Sequence, residues 1–213
     1  FKKFFRKFKI VNDIAYITYQ KFPAYTANSL QTITNLKYFV KYGLKTKLIF
    51  PLRGKDATSD ISKLKKFYDF EENFEIRGTK HYLPFQRVSF LNAFFFLISH
   101  FFWSAFISTK IDNYTNKSSI IFTRSEWIFY FLSLKKRMVV YECHQLSKLK
   151  KIIIPKALKS KNSKVIFLNE NIKKDLNLVN ELSNRTTVIH NGVDEELFLK
   201  TDKKKEKNKI IFV

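Results

Sequence analysis

The sequence predicts a doubly wound α/β domain, in which helices cover both faces of a mostly parallel sheet. Short runs of consecutive apolar residues recur along the chain, and such runs are typical of strands buried on both faces. Segments with a helical spacing of apolar residues lie between these runs, and this alternation favours parallel strands joined by right-handed crossovers. In such a sheet the ligand lies beyond the carboxyl ends of the strands, where the strand order switches. The residues that follow each strand are therefore the candidate site.

The first half of the chain supplies two strong strands and two helices. In order, the predicted elements are a strand at 13–19 (DIAYITY), a helix at 28–42, a strand at 45–50 (KTKLIF), a helix at 61–68 and an extended segment at 74–77. Asn28 or Ser29 is the candidate N-cap of the first helix, and Gly43 ends that helix. Pro51 is expected to end the second strand, because proline donates no backbone hydrogen bond.

Residues 88–109 form a stretch of 22 residues without a charged side chain, which is long enough to span a bilayer. Asn92, Ser99, His100 and Ser104 interrupt it, and its aromatic residues surround the helix instead of forming two end belts. The pattern favours a buried or membrane-surface helix over a spanning one.

The second half of the chain continues the alternation of strands and helices. Strands are predicted at 119–123 (SIIFT), 138–142 (MVVYE), 164–168 (KVIFL) and 186–189 (TTVI), with a helix at 126–134 after the first of them. Asn169 and Glu170 follow the third of these strands and are interpreted as a helix cap and a first-turn acid.

The chain carries 40 Lys and Arg residues against 18 Asp and Glu residues, which gives a formal net charge of +22 over 213 residues. Excess charge concerns partners more than fold, and three interpretations fit: nucleic acid, an anionic membrane surface, or a lysine-rich surface without a specific role. Of the basic residues 33 are Lys and 7 are Arg, which weighs against specific readout of bases or phosphates, where Arg is preferred.

Apolar residues make up 45% of the chain, which is enough for a core and excludes a disordered polycation. The single cysteine, Cys143, excludes a disulfide scaffold and is interpreted as a small buried apolar residue in a reducing compartment. The sequence contains no serine-hydrolase elbow, P-loop or GxGxxG motif. No His, Asp or Glu cluster has metal-ligand spacing, so His81 and His100 are interpreted as non-ligands.

Five segments of the chain form a pattern when they are taken in order. They are NSLQTITNLKYFVKYG at 28–43, TRS at 123–125, YECH at 141–144, FLNENIKKDL at 167–176 and VIHNGVDEELF at 188–198. In this order, over residues 12–213, they resemble the amino-terminal half of the family 4 glycosyltransferases, and the last segment is the most specific. The resemblance implies the GT-B architecture, in which two Rossmann-like domains face each other across a cleft.

The resemblance also implies how the chain is organised. Residues 1–11 are expected to be a basic N-terminal segment, 12–194 the acceptor-side Rossmann-like domain, 195–208 a charged linker, and 209–213 (KIIFV) the first strand of a truncated donor-binding domain. We therefore expect a fragment of a longer enzyme, and no cleavable secretory signal is evident in its first residues.

The activity that the resemblance implies is that of a retaining, nucleotide-sugar-dependent glycosyltransferase of the hexosyltransferase type. Such an enzyme transfers a sugar to a glycan or lipid-linked acceptor, as in polysaccharide biosynthesis. In that family the donor is a nucleotide-diphosphate sugar, no metal or other cofactor is expected, and the residues that grip the diphosphate lie in the second domain. We expect the fragment to be inactive alone, and the enzyme to be cytoplasmic or peripheral at the inner face of the membrane.

His144 is the candidate catalytic residue, because the resemblance implies that a His in this stretch contacts the donor sugar. His144 follows a predicted strand, and Glu142 lies on the same strand face, where it can orient the imidazole. Arg124 follows another strand and places a positive charge where a sugar phosphate or an acidic acceptor can bind. A surface or capping role is the alternative for His144, and a salt bridge to Glu126 or Glu142 is the alternative for Arg124.

Two further groups complete the predicted substrate-binding set. Asn28 and Ser29 begin the first helix, whose amino end offers N–H groups to an oxyanion or a hydroxyl. His190, Asn191 and Gly192 form the predicted hinge, where glycine supplies backbone freedom and asparagine tolerates left-handed geometry. The alternative for the hinge is an ordinary corner between a strand and a turn.

A different class of protein remains as the competing prediction: a non-catalytic basic module that binds an anionic membrane or nucleic acid. Such a module requires basic and exposed aromatic residues concentrated on one face. The basic residues here are spread along the chain, with the densest runs at 1–9 and 203–209, so we expect no nucleic-acid partner.

Overall fold

The computed structural model describes residues 13–81 and 92–192. Its elements are β1 (Asp13–Ile17), α1 (Ala27–Lys41), β2 (Lys45–Leu52), α2 (Ile61–Tyr68), β3 (Glu75–Lys80), α3 (Asn92–Thr109), a 3₁₀ turn (Ile111–Asn113), β4 (Ile120–Thr123), α4 (Glu126–Leu134), β5 (Val139–Cys143), α5 (Lys148–Leu158), β6 (Ser163–Phe167), α6 (Glu170–Asp175), α7 (Asn180–Ser183) and β7 (Thr186–Val188). The predicted basic segment at 1–11, residues 88–91 of the uncharged stretch, the linker at 195–208 and the strand at 209–213 lie outside the described residues.

The seven strands form one sheet in which every neighbouring pair is parallel, in the order β3-β2-β1-β4-β5-β6-β7. The order switches direction between β1 and β4, so their carboxyl ends flank the crevice that such sheets offer to ligands. The predicted doubly wound α/β fold is confirmed.

Helices cover both faces of this sheet because alternate strand residues are apolar on each side. In β1, Ile14 and Tyr16 belong to one core, whereas Ala15 and Ile17 belong to the other. The first core is closed by residues of α1 and α2, namely Ile33, Leu36, Phe39 and Leu64. The second is closed by residues of α3, α4 and α5, namely Trp103, Ile107, Ile128, Leu132, Ile154 and Leu158.

The N-cap predicted for the first helix is wrong by two or three residues. Thr26 has an extended backbone with φ −111° and ψ 146°, and its hydroxyl accepts a hydrogen bond from the backbone N–H of Ser29. Asn28 and Ser29 are already inside α1. Thr26 therefore caps the helix, because a cap residue must keep non-helical backbone angles while its side chain folds back onto the first turn.

Pro51 does not end the second strand, which continues to Leu52. The pairing of β1 with β2 stops at Ile17 and Ile49, so Pro51 has only β3 beside it, where it pairs with Thr79. A proline is tolerated there because one side of the strand no longer needs an N–H donor.

The uncharged stretch contributes α3, which packs on the sheet through Trp103 and Ile107. Among residues 13–81 and 92–192, no helix is long and apolar enough to cross a membrane. For residues 92–109, the prediction of a buried or membrane-surface helix agrees with this finding.

Candidate functional site

A cavity of about 740 Å³ lies at the carboxyl ends of β1, β4 and β5, at the switch in strand order. Its volume lies within the range of small-molecule sites, about 300–1,000 Å³. The walls come from residues between Thr18 and Ser29, from Arg53 after β2, and from the residues that follow β4 and β5. Phe96 and His100 of α3 close the remaining side.

The structure brings together most of the predicted site residues. Asn28, Ser29, Arg124, Glu142 and His144 all line the cavity. The residues after β6 and β7 do not line it: Glu170 belongs to a separate cavity of about 270 Å³, and the predicted hinge at 190–192 is exposed. The cavity therefore forms from the central strands, next to the switch point.

Glu142, His144 and Arg124 form a hydrogen-bonded row along the cavity wall. A nitrogen of the Arg124 guanidinium, Nη2, lies 2.6 Å from His144 Nδ1. Arginine only donates, so Nδ1 accepts and the ring proton resides on Nε2, which donates to the buried Glu142 carboxylate. The row fixes the tautomer of His144, and the hydrogen bond to Glu142 is the contact through which this carboxylate can orient the imidazole.

Both ring nitrogens of His144 are thus occupied by protein groups. For Nε2–H to donate to a sugar hydroxyl, its hydrogen bond to the Glu142 carboxylate must first break. The assignment of His144 as catalytic stays a prediction, and the arrangement shows that His144 also holds Arg124 in place.

Gln31 extends this row toward the predicted hinge, and sequence reasoning did not identify it. The carboxamide oxygen of Gln31 accepts from Arg124 Nη1 at 3.1 Å, and its nitrogen donates to Asn191 Oδ1 at 3.0 Å. The guanidinium therefore donates to the Gln31 amide, the His144 imidazole and the Tyr16 hydroxyl. The alternative that the sequence left open was a salt bridge to Glu126 or Glu142. Gln31 lies one turn after Asn28, and this helical spacing was the only signal in the sequence.

The Tyr16 hydroxyl lies in the core beneath Arg124. Burial raises the pKa of Tyr16, and the negative charge of Glu142 adds to this effect, while hydrogen bonds from Thr32 and Arg124 oppose it. Tyr16 therefore stays protonated, and its neutral hydroxyl accepts a hydrogen bond from the Arg124 guanidinium.

The amino end of α1 is largely satisfied by the protein itself. Ser29 Oγ lies 2.8 Å from Thr26 Oγ1 and donates to the Gln20 side chain at 3.3 Å. The N–H groups of Ser29 and Leu30 both bond to Thr26. Asn28 is exposed at the cavity edge, so of the two predicted residues it presents the accessible side chain.

Gly192 does not require the conformational freedom that the hinge prediction assigned to it. Its φ lies outside the left-handed region, and a Cβ atom there meets nothing within 4 Å. His190 and Asn191 are exposed beside it, and Asn191 reaches the site only through Gln31.

The opposite wall of the cavity is aromatic and cationic. The Tyr19 ring stacks on His100 with centroids 4.7 Å apart, and the Arg53 guanidinium lies 4.1 Å from the Tyr19 ring centroid. Arg53 also donates to the Tyr19 carbonyl at 2.6 Å, and the Tyr19 hydroxyl bonds to His81 Nε2 at 2.8 Å. Cation–π contact and hydrogen bonds together hold Arg53 over the ring.

His100 is a neutral, buried member of this wall. Its Nε2 lies 2.6 Å from the hydroxyl of Ser125, the N-cap of α4. Burial lowers the pKa of His100 to about 3, and the positive charges of Arg53 and Lys150 act in the same direction. His100 therefore carries no charge at neutral pH.

The charges around the cavity are unbalanced in favour of cations. Among the residues that the structure describes, four basic side chains line it, Lys21, Arg53, Arg124 and Lys150, against one carboxylate, that of Glu142. Lys21 also lies 3.7 Å from the carboxylate of Asp56, which is not part of the lining. Such a lining favours a ligand that carries a phosphate or a carboxylate.

A second cavity, of about 840 Å³, lies at the amino ends of β1 and β2. Its basic residue Lys47 is engaged by Glu75 at 2.9 Å and by the Tyr114 carbonyl at 2.7 Å, and Asn116 bonds to Asp13. We place the site at the carboxyl ends of the strands, because the cavity there has an excess of basic lining residues and lies at the switch in strand order.

Cys143 is fully buried, as predicted, and burial raises the pKa of its thiol to about 11. Over the two described ranges, no group of three or more His, Cys, Asp or Glu side chains is arranged to hold a metal ion.

No protein-family model and no curated protein matches the chain in sequence. The chain is similar in structure to the N-terminal domain of trehalose-6-phosphate phosphatase from Candida albicans, with a TM-score of 0.56 and 12% sequence identity. The match covers 89% of this chain and 50% of that one, so the chain spans about half the length of the neighbour. At this identity the likeness shows the α/β fold alone, and the resemblance to family 4 glycosyltransferases stays a prediction.

Proposed function

We propose that the chain is the acceptor-side domain of a retaining glycosyltransferase that uses a nucleotide-diphosphate sugar. The observation that carries the proposal is the row of Glu142, His144 and Arg124 at the carboxyl edge of the sheet, inside a cavity with excess positive charge. The row lies on the YECH and TRS segments that carry part of the family 4 resemblance.

A retaining sugar transfer needs cationic and hydrogen-bonding side chains such as Arg124 and His144. In a retaining transfer the leaving diphosphate and the incoming hydroxyl share one face of the sugar, so positioning and stabilisation of the leaving charge do most of the work. Gln31, His144 and the Tyr16 hydroxyl each accept a hydrogen bond from Arg124, and the guanidinium has five N–H donors, so further N–H groups remain for an anionic oxygen of the substrate. His144 offers Nε2–H to a sugar hydroxyl when Glu142 releases it.

The acceptor in this proposal is a glycan or lipid-linked sugar, and the cationic lining favours one with a phosphate or carboxylate. The donor diphosphate is held by a second domain of the GT-B pair, so the domain by itself turns over negligibly. The transfer requires no metal in this proposal.

The test uses the full-length protein that contains this chain, incubated with a panel of nucleotide-diphosphate sugars and acceptors. Release of nucleoside diphosphate is expected, and His144→Ala is expected to slow it by about 100-fold or more. Tyr42→Gln is the matched control, because Tyr42 is exposed at the end of α1 and is not among the cavity-lining residues. Equal rates for the two variants contradict the role of His144, and no release with any donor contradicts the proposed activity.

A further inference from the structure

Helix α3 carries polar side chains on its buried side, next to the core residues Trp103 and Ile107. Its buried side carries Ser99, His100, Ser104 and Ser108, and no described residue provides a hydrogen-bond partner for the Ser104 and Ser108 hydroxyls. A helix at a water-exposed protein surface carries its polar residues on the outward side. Packing of Trp103 and Ile107 on the sheet accounts for the buried side of α3 but not for the apolar residues on its outward side.

The outward side of α3 is apolar and exposed. Phe94, Leu97 and Phe102 are 58%, 54% and 56% exposed, and α3 contains no charged residue. Exposing three large apolar side chains on one uncharged helix is costly in water, and such patches mark contact surfaces.

Helix α4 continues this surface. Phe101 of α3 packs edge to face on Trp127 of α4 with ring centroids 4.8 Å apart, and Leu134 at the end of α4 is 63% exposed. We call the set Phe94, Leu97, Phe101, Phe102, Trp127 and Leu134 the aromatic face.

Cations border the end of the aromatic face. Lys110 Nζ lies 4.7 Å from the Phe106 ring centroid, and Lys135 Nζ donates to the Thr109 carbonyl at 2.9 Å, so both ammonium groups lie where α3 and α4 end. Apolar side chains bordered by lysines complement a bilayer with anionic headgroups, because rings enter the acyl boundary while ammonium groups reach the phosphates. The net charge of +22 acts in the same direction.

We propose that the aromatic face docks the protein on the surface of an anionic lipid bilayer. The occupant is lipid, since a bilayer complements both the uncharged helix and its lysine border. The docked helices lie in the membrane interface and do not cross it.

Docking places the candidate site at the membrane. Phe96 and His100 of the same helix line the cavity, and Phe96 packs on Tyr19 with ring centroids 5.3 Å apart. One side of α3 thus forms the cavity wall while the other side meets lipid. This deepens the proposed glycosyltransferase function, on which it rests for the substrate: the acceptor is a lipid-linked molecule whose polar part enters the cavity from the bilayer surface.

Vesicle binding tests the docking without any sugar substrate, so its outcome is independent of the proposed activity. Wild type is sedimented with phosphatidylcholine vesicles and with vesicles that also contain phosphatidylglycerol. The triple variant Phe94→Gln, Leu97→Gln, Phe102→Gln removes exposed groups only, and Leu30→Gln with Tyr42→Gln is the matched control on exposed positions of α1 and its C-cap.

We expect wild type and control to bind the anionic vesicles more than about tenfold tighter than the triple variant. Brominated lipid should quench Trp127, since the other tryptophan, Trp103, is buried. Equal binding by the triple variant overturns the proposal, as does binding that is lost only when the basic residues at 1–9 are neutralised. The proposal is also overturned if wild type is a dimer, the triple variant is a monomer, and both bind vesicles equally. In that case a second copy of the chain occupies the aromatic face.

Discussion

The neutral, buried His100 makes the stability of the protein depend on pH in a way that one substitution isolates. Its folded pKa is about 3, against 6.5 for an ordinary histidine. Above pH 6.5 neither state binds a proton there, so the stabilising effect is fully present. Below pH 6.5 the unfolded chain binds a proton that the folded chain excludes, and stability falls until the folded pKa is reached.

The magnitude follows from the shift. Each pH unit below 6.5 costs about 1.4 kcal/mol, so the free energy of unfolding falls by about 2 kcal/mol between pH 8 and pH 5 from this residue alone. His100→Gln keeps a polar group near the Ser125 hydroxyl and does not titrate. Urea unfolding of both proteins at pH 5, 6, 7 and 8 gives the difference directly. Parallel pH profiles for the two proteins would refute the account of a buried neutral His100.

Three further predictions test packing, reactivity and the site. Gly78→Ala places a Cβ 2.6 Å from Leu52 Cδ2 and should cost about 1–3 kcal/mol in urea unfolding. In Gly192→Ala the added Cβ has no atom within 4 Å, so the free energy of unfolding should not change. An equal loss of stability in the two variants would contradict this packing. The Cys143 thiol should react slowly with a disulfide reagent at pH 8 and rapidly in urea, because burial raises its pKa to about 11; fast native labelling would contradict it. Arg124→Lys should weaken binding of an anionic acceptor about tenfold, because lysine lacks the planar fork that engages Gln31 and His144; unchanged affinity would exclude Arg124 from the anion site.

The parts of the fold that the sequence predicts best are those with a local signal. The bounds of α2 and α4 match the prediction, because Asp60 and Ser125 cap helices whose apolar spacing is clear. The cap of α1 was missed since Thr26, Asn28 and Ser29 can all cap a helix, and only backbone geometry selects among them.

The sequence predicts candidate-site residues at two kinds of position, directly after the central strands and at the start of the first helix. Arg124 and His144 are found at the first kind of position, because parallel strands bring their carboxyl ends to one edge. Gln31 was missed because it reaches Arg124 through the packing of α1 beside β4, which no local pattern reports. The outward side of α3 was equally hidden, since an uncharged helix does not indicate in sequence which side faces the core.

The central claim, that the cavity serves a retaining sugar transfer, is tested most directly by the product. The full-length protein is supplied with a nucleotide-diphosphate sugar and its acceptor, and the anomeric configuration of the new bond is read by NMR. We predict transfer with the donor's configuration retained, and loss of that transfer in His144→Ala. An inverted product, or release of inorganic phosphate from a sugar phosphate without any transfer, would contradict the account.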